Sequence, residues 1–415
     1  MSKRQPAIGF AFVTLFLDII GIGLVAPIVP KLIEKFVAGD VGEAAQFGGW
    51  ITAIYAVMQF IFAPILGNLS DQYGRRPVIL ISLLGSALDY LLLAFAPNLA
   101  WLVIGRLIAG ITGANISAVS AYIADVSPPE KRAQNFGLIG VAFGLGFIVG
   151  PALGGILGSV DLRLPFLVVA GITFLNVLYG YFVLPESLLP ENRRAFRWSR
   201  ANPIGSIGLL ARAPIVLSLA IGFIFSSLAQ NGLQTIWVYY TGLRYQWDTL
   251  QVGLSLAAVG LSAAIVQGGL LRLILPRIGE RRAIIFGLAL AVLSSVAYGL
   301  APQGWMIYVI IFISGLGGIA GPAAQGLISR NVSDSEQGAV QGALSSALTL
   351  TAVAGPVIAT TLFNYFEPRG IPGASFFAGA VFTLIGLLLA IRTFAKYPQM
   401  SDDQPSSASP SAQHL

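Results

Sequence analysis

The chain has 415 residues, of which 56% are hydrophobic and only 10% charged, with a formal net charge of +6 at pH 7 and a mean hydropathy of +0.80. That balance excludes an ordinary soluble domain, because apolar runs of membrane-crossing length recur from end to end and leave no stretch for a sizeable soluble unit. With no cysteine and a single histidine, His414 in the tail, thiolate chemistry, a Ser-His-Asp triad and a histidine metal centre are all excluded from the membrane body.

Apolar runs set against Gly, Pro and charged punctuation predict twelve helices, at 7–29, 48–69, 78–96, 99–122, 133–158, 164–184, 214–238, 249–271, 283–300, 304–327, 338–363 and 373–394. Lys3 and Arg4 precede the first run, but its length and Asp18 within it read as an uncleaved helix rather than a signal peptide. Loops on the side of the termini hold Arg75, Arg76, Lys131, Arg132, Arg193, Arg194, Arg197, Arg200, Arg212, Arg272, Arg277, Arg281, Arg282 and Arg330, and the opposite loops hold only Lys31, Lys35, Arg163, Arg244 and Arg369. The positive-inside rule then puts both termini in the cytoplasm, and the basic excess is explained by anionic lipid headgroups, with no need of nucleic acid. Residues 1–184 read as an N-terminal six-helix bundle, 185–213 as a Pro- and Arg-bearing cytoplasmic linker, 214–396 as a C-terminal six-helix bundle and 397–415 as a disordered cytoplasmic tail rich in Ser, Pro and Gln.

The halves repeat one another. Gly67 to Arg76 between helices 2 and 3 is answered by Arg277-Ile-Gly279-Glu280-Arg281-Arg282, although the second joint has no acid where the first has Asp71. Ile148-Val-Gly150-Pro151-Ala152 in helix 5 is answered by Val353-Ala-Gly355-Pro356-Val357 in helix 11. Duplication of this kind implies a pseudo-symmetric all-α membrane protein with its ligand held near the midplane between the halves. Gly146, Gly150 and Gly154 share one face of helix 5 beside Pro151 and Gly155, a strip against which a neighbour packs closely.

Charges well inside the spans are few: Asp18, Asp89 and Arg106. Each costs about 2.5–3.5 kcal/mol at the bilayer centre on insertion scales, so such groups face a cavity, a partner or both. Asp89 and Arg106 lie at similar distances from the turn at Pro97-Asn98, which puts them at similar depth. A carboxylate between desolvation, which favours its neutral form, and a guanidinium, which favours the charged one, has the makings of a proton-coupling group or of a plain structural ion pair. Neutral polar groups, among them Gln230, Asn231, Gln234, Thr235, Tyr239 and Tyr240 around helix 7, Gln267 in helix 8, Gln325 in helix 10 and Gln341 and Thr349 in helix 11, suit either ligand hydrogen bonding or helix–helix bonding. The run Gly315 to Gly321 lacks the preceding strand of a nucleotide loop and reads as helix packing.

These motifs resemble the major facilitator superfamily, and more closely its tetracycline-type drug:proton antiporters. The likeness rests on the Gly67–Pro77 loop, on Arg106 with Gly110 and Gly113, on Gly146 to Gly155, on Leu17-Asp18 with Gly21, Gly23, Pro27 and Pro30, on Asp89-Tyr90, and on Ala121-Tyr122-Ile-Ala-Asp125; Trp247-Asp248 and Gly304-Trp305-Met306 continue it. The resemblance implies twelve helices in two six-helix bundles and proton-coupled efflux of an amphipathic compound by alternating access, with no enzyme activity, no metal and no cofactor beyond the proton gradient. It also implies a multi-pass protein of the inner membrane, working as a monomer with lipid, protons and a small molecule as its partners.

By residue, it implies proton coupling at Asp18, Asp89 and Arg106, a cytoplasmic gate of Gly67, Asp71, Gly74, Arg75, Arg76 and Asp125, and an antiporter motif of Gly146, Gly150, Pro151, Gly154 and Gly155. Candidate substrate contacts are Tyr55, Gln59, Asn115, Gln230, Asn231, Gln234 and Gln325. The chain departs from the tetracycline exporters at Ala291, where they carry an aspartate, and at Arg272-Leu273, where they carry Gly-Pro, which leaves the substrate open. Import or facilitated passage of a small metabolite, and a non-transporting receptor or assembly role, remain as alternatives from the sequence.

Overall fold

The computed structural model describes residues 8–198, 214–330, 332 and 337–397, without the side chains of residues 115, 129, 132–134, 214–215, 329 and 337–339. Most of the linker, the tail beyond Tyr397, His414, Lys3, Arg4, Arg200 and Arg212 lie outside the described residues.

Helices dominate because the apolar runs, once in oil, must satisfy every backbone donor and acceptor within themselves. They are α1 (Ile8–Phe36), α2 (Val41–Tyr73), α3 (Arg75–Ala94) and α4 (Leu99–Val126), then α5 (Arg132–Val160), α6 (Leu164–Val183) and α7 (Pro214–Tyr245). A 52-residue helical stretch, Thr249–Leu300, follows. It is far too long for one crossing of a ~30 Å hydrocarbon layer at ~1.5 Å per residue. Gly279, at φ 76° and ψ 161°, divides it into α8 (249–278) and α9 (280–300). The chain then continues as α10 (Gly304–Gly315, through a 3-10 turn, to Ala320–Arg330), α11 (Gln337–Phe366) and α12 (Ala374–Lys396). Among the described residues this makes twelve membrane-length helices.

Several helices outrun the apolar segments that predict them. α1 breaks at Ala26-Pro27 and resumes as Ile28–Phe36, a strongly amphipathic piece in which Lys31 pairs with Glu34 at 3.0 Å. Hydropathy stops at that piece because its charges sit on one face, whereas backbone hydrogen bonding does not. α2 starts at Val41 because Asp40 caps it, accepting from the Glu43 N–H at 2.8 Å. α8 starts in a capping box in which Asp248 and Gln251 each accept from the other's backbone N–H.

Twelve crossings bring the start of α1 and the finish of α12 to one end of the molecule, which also carries the basic joints; it is called the basic end and its opposite the far end. At the far end a single apolar core spans both halves, from Leu24, Ile28 and Phe166 to Tyr240, Phe363 and Phe376. Toward the basic end it gives way to two separate cores, one around Leu15, Val78 and Tyr122 and the other around Val216, Ile284 and Ala343. The halves therefore meet at the far end in this conformation.

Glycines make that meeting close. A Cβ built on Gly150 would lie 2.8 Å from the Gly23 Cα of α1, and one on Gly155 would lie 3.1 Å from the Gly253 Cα of α8, so α5 is pressed between its own half and the other. α11 mirrors it: a Cβ on Gly355 would lie 2.6 Å from the Leu228 carbonyl of α7, and a Cβ on Gly49 of α2 would lie 3.1 Å from the Pro356 carbonyl. α5 stays helical through Pro151. Corresponding helices of the two halves also share an irregularity, a 3-10 turn at Gly113–Asn115 in α4 and at Leu316–Ile319 in α10.

Candidate functional site

Beneath the far-end core lies a cavity of about 330 Å³ bounded by α1, α2, α3, α4, α5 and α7. The break in α1 shapes its roof, since Val25, Ala26, Val29, Pro30 and Ile33 all line it. Tyr55 and Thr52 of α2, Ser86, Asp89 and Tyr90 of α3, Arg106 of α4, Phe147 of α5 and Gln234, Thr235, Val238 and Tyr239 of α7 complete the wall. Apolar walls with a few convergent polar groups are what small-molecule sites are made of.

The three intramembrane charges all face this space. Asp18 is 7% exposed and Asp89 1% exposed, and Asp89 Oδ2 stands 3.8 Å from Arg106 Nη2. That spacing is an ion pair without a hydrogen bond. Asp89 Oδ1 and Arg106 Nη2 have no hydrogen-bond partner among the described residues. Gly105 lets the carboxylate in, because a Cβ there would lie 2.8 Å from Asp89 Oδ1. The pair lacks the two parallel hydrogen bonds by which a bidentate arginine and carboxylate would be locked together.

The candidate substrate contacts separate into groups. Tyr55 and Gln234 line the cavity. Gln59 stands behind Tyr55, donating to its hydroxyl at 3.3 Å and to the Gly113 carbonyl at 3.4 Å. Asn231 is committed to packing: its amide donates to Thr351 Oγ1 at 3.0 Å and to the Ser227 carbonyl at 2.9 Å, tying α7 to α11. Gln230 and Gln325 are exposed and away from the cavity lining, and the Asn115 side chain lies outside the described residues. Ala291 sits on α9 against the 3-10 turn of α10, its N–H near Gly317.

At the basic end, Gly74 takes φ 107° to turn α2 into α3. Arg75 pairs with Asp71, donates to Ser70 Oγ at 2.7 Å and pairs with Asp125 of α4 at 3.1 Å. Glu186, which follows α6 in Pro185-Glu186-Ser187, is a residue the motif reading passes over. Its carboxylate accepts from the N–H groups of Arg75 and Arg76 at 2.9 and 3.2 Å, capping α3, while Ser187 donates to Asp125 at 3.0 Å. Gly67 faces Ser117 across a looser contact, its built Cβ 3.8 Å from Oγ. Arg76 reaches the Tyr181 carbonyl at 2.5 Å. The matching joint of the second half has its acid one place along from the glycine: Glu280 pairs with Arg330 at the end of α10. The polarity is reversed relative to Arg75 and Asp125. Among the described residues no cluster of three His, Cys, Asp or Glu could hold a metal ion.

The Major Facilitator Superfamily model matches residues 11–304 and 274–413 of the chain. The chain is 41% identical to the class C tetracycline resistance protein of Escherichia coli over 365 residues, 87% of this chain and 90% of that one. It is 38% identical to the class G tetracycline resistance protein of Vibrio anguillarum over 398 residues, 94% of this chain and 98% of that one. Among solved structures it is similar to the human organic anion transporter MFSD10 (TETRAN), with a TM-score of 0.68 and 26% identity over 92% of this chain and 98% of that one. Transporters of this family move solutes rather than catalyse reactions on them, and they generally need no cofactor. With its duplicated halves, its cavity and relatives at this level of identity, the chain belongs to the Major Facilitator Superfamily, as a proton-coupled drug efflux transporter similar to the tetracycline exporters.

Proposed function

We propose that this protein exports a tetracycline-type or related amphipathic drug across the bacterial inner membrane in exchange for protons taken up at Asp89, with Asp18 and Arg106 as its partners. The observation that carries the reading is the buried, loosely paired Asp89–Arg106 couple on the wall of a cavity that also touches the second half. The basic end faces the cytoplasm by the positive-inside rule, so the described conformation is sealed toward the outside. Protonated from outside, Asp89 loses its attraction for Arg106, and the wall of the cavity changes charge. Proton and drug then favour opposite-facing states, which is the condition for exchange. One proton moving down the membrane potential supplies about 2.3 kcal/mol per 100 mV.

The two six-helix bundles rock about the central cavity, parting the far-end contacts as the basic end closes, and Gly146, Gly150, Pro151, Gly154 and Gly155 keep α5 close to α1 and α8 in the far-end-closed state. The Gly67–Arg76 joint with Asp125 forms the cytoplasmic gate. Because one chain carries the whole cavity, a monomer embedded in lipid suffices, and no metal or other cofactor is called for. Inverted membrane vesicles loaded with Asp89→Asn protein are expected to lose uptake of tetracycline driven by an imposed pH gradient while keeping wild-type expression. Uptake at the wild-type rate would refute the assignment.

A further inference from the structure

On the second-half wall of the cavity, Tyr239 is 1% exposed, lines the cavity, and its hydroxyl has no hydrogen-bond partner among the described residues. A buried hydroxyl left alone costs free energy comparable to a lost hydrogen bond, so its persistence calls for a role. The neighbouring tyrosine makes the contrast: Tyr240 turns to the other side of α7 and donates to the Tyr298 carbonyl at 2.8 Å. Glu34, on the α1 extension that follows the break, is held by Lys31 at 3.0 Å.

Tyr239 is also seated against the opposite half. Its hydroxyl occupies the space that a side chain on Gly48 of α2 would take, and the ring atoms beside it would lie 3.0–3.1 Å from a Cβ there. Nearby, Asn364 of α11 donates to Gln46 of α2 at 2.8 Å, a second contact between the halves at the same end. One side chain thus meets both the contents of the cavity and the seal above it.

Building on the transport reading, we propose that Tyr239 is a substrate-contacting residue of the second half and the latch that ties an occupied cavity to closure of the far end. A ligand carrying an uncharged oxygen or amide function opposite its charged end would hydrogen-bond the hydroxyl. That bond draws Tyr239 off Gly48 and loosens the seal, so export begins only when the cavity is filled. The required substrate is therefore a bifunctional amphiphile, with one polar group for the acidic first-half wall and a second, neutral one for Tyr239.

The test uses the full chain in inverted vesicles with tetracycline and ethidium, which differ in that tetracycline carries several neutral oxygen functions. Tyr239→Phe removes only the hydroxyl and is expected to raise the KM for tetracycline about fivefold, the worth of one neutral hydrogen bond, and to lower the Vmax for tetracycline because the drug no longer draws the ring off Gly48, with the KM for ethidium unmoved. Because the chain has no native cysteine, Gln46→Cys with Asn364→Cys reports the seal by cross-linking. Tetracycline is expected to lower the cross-linking in the otherwise wild-type protein and not in Tyr239→Phe, while Gly48→Ala lowers it without drug. Wild-type transport with an unaltered KM in Tyr239→Phe overturns the contact, and cross-linking indifferent to Tyr239→Phe and Gly48→Ala overturns the latch. A wild type that moves neither compound overturns the drug-transport reading and the contact with it, leaving the latch to the Gly48→Ala arm.

Discussion

The two walls of the cavity are built from different chemistry although the halves share a fold. The first half contributes Asp18, Asp89 and Arg106, and the second contributes Gln234, Thr235 and Tyr239 with no ionised group. The difference teaches that duplication conserves the backbone device, a glycine-proline helix pressed between two neighbours, while freeing the side chains to diverge. Proton chemistry requires charges whose balance shifts, and these are tolerable in oil only where they face one another or water. Recognition of varied drugs requires groups that hydrogen-bond without a fixed charge demand, and amides and hydroxyls supply them.

That contrast can be broken most sharply at Asp89, where the loss described above is expected to be complete. If a single neutral residue of α7 proved as indispensable to proton exchange as Asp89, the division of labour would be wrong. Next in size is the shared device itself. Gly150→Leu drives a side chain into Gly23, and overpacking of this kind costs about 1–3 kcal/mol or more, read as a lowered melting temperature of the purified protein in detergent. A melting point equal to wild type would mean that the α5–α1 approach is not needed.

Smaller effects sharpen the second-half wall. Gln234→Ala is expected to raise the KM for tetracycline about fivefold, again the worth of one hydrogen bond, with proton exchange otherwise retained in a vesicle pH assay. Asn231→Ala, one turn away but bonded to Thr351, is expected to leave KM unchanged. It should cost only about 0.6 kcal/mol of stability, the average of interhelical hydrogen bonds in membranes. A KM shift at Asn231 larger than at Gln234 would reverse the assignment of the two residues.

Much of this architecture is legible without coordinates. Twelve spans follow from hydropathy, and Asp89 and Arg106 can be paired from the sequence because one short turn joins their helices at matched depth. The amphipathic extension Ile28–Phe36 is not legible in the same way, since its Lys31, Glu34 and Lys35 lower the hydropathy of a segment that stays helical. Among the polar residues of α7, composition treats Gln230, Asn231 and Gln234 alike. Only Gln234 lines the cavity, because each step along a helix turns the side chain by about 100° and the neighbours decide what each direction meets. Glu186 is hidden for a different reason: its partners are backbone N–H groups of α3, which no motif spells.

The sequence by itself determined that this chain lives in a membrane, that it is a doubled six-helix unit, and that its few intramembrane charges sit in the first half. Those properties are carried by local hydropathy, spacing and repetition. Tertiary structure alone decided that the halves meet at the far end, that the reversed pair Glu280–Arg330 answers Arg75–Asp125, and that Tyr239 sits on Gly48. Such contacts join residues remote along the chain, and they depend on how whole helices pack, which the pattern within any one helix does not contain.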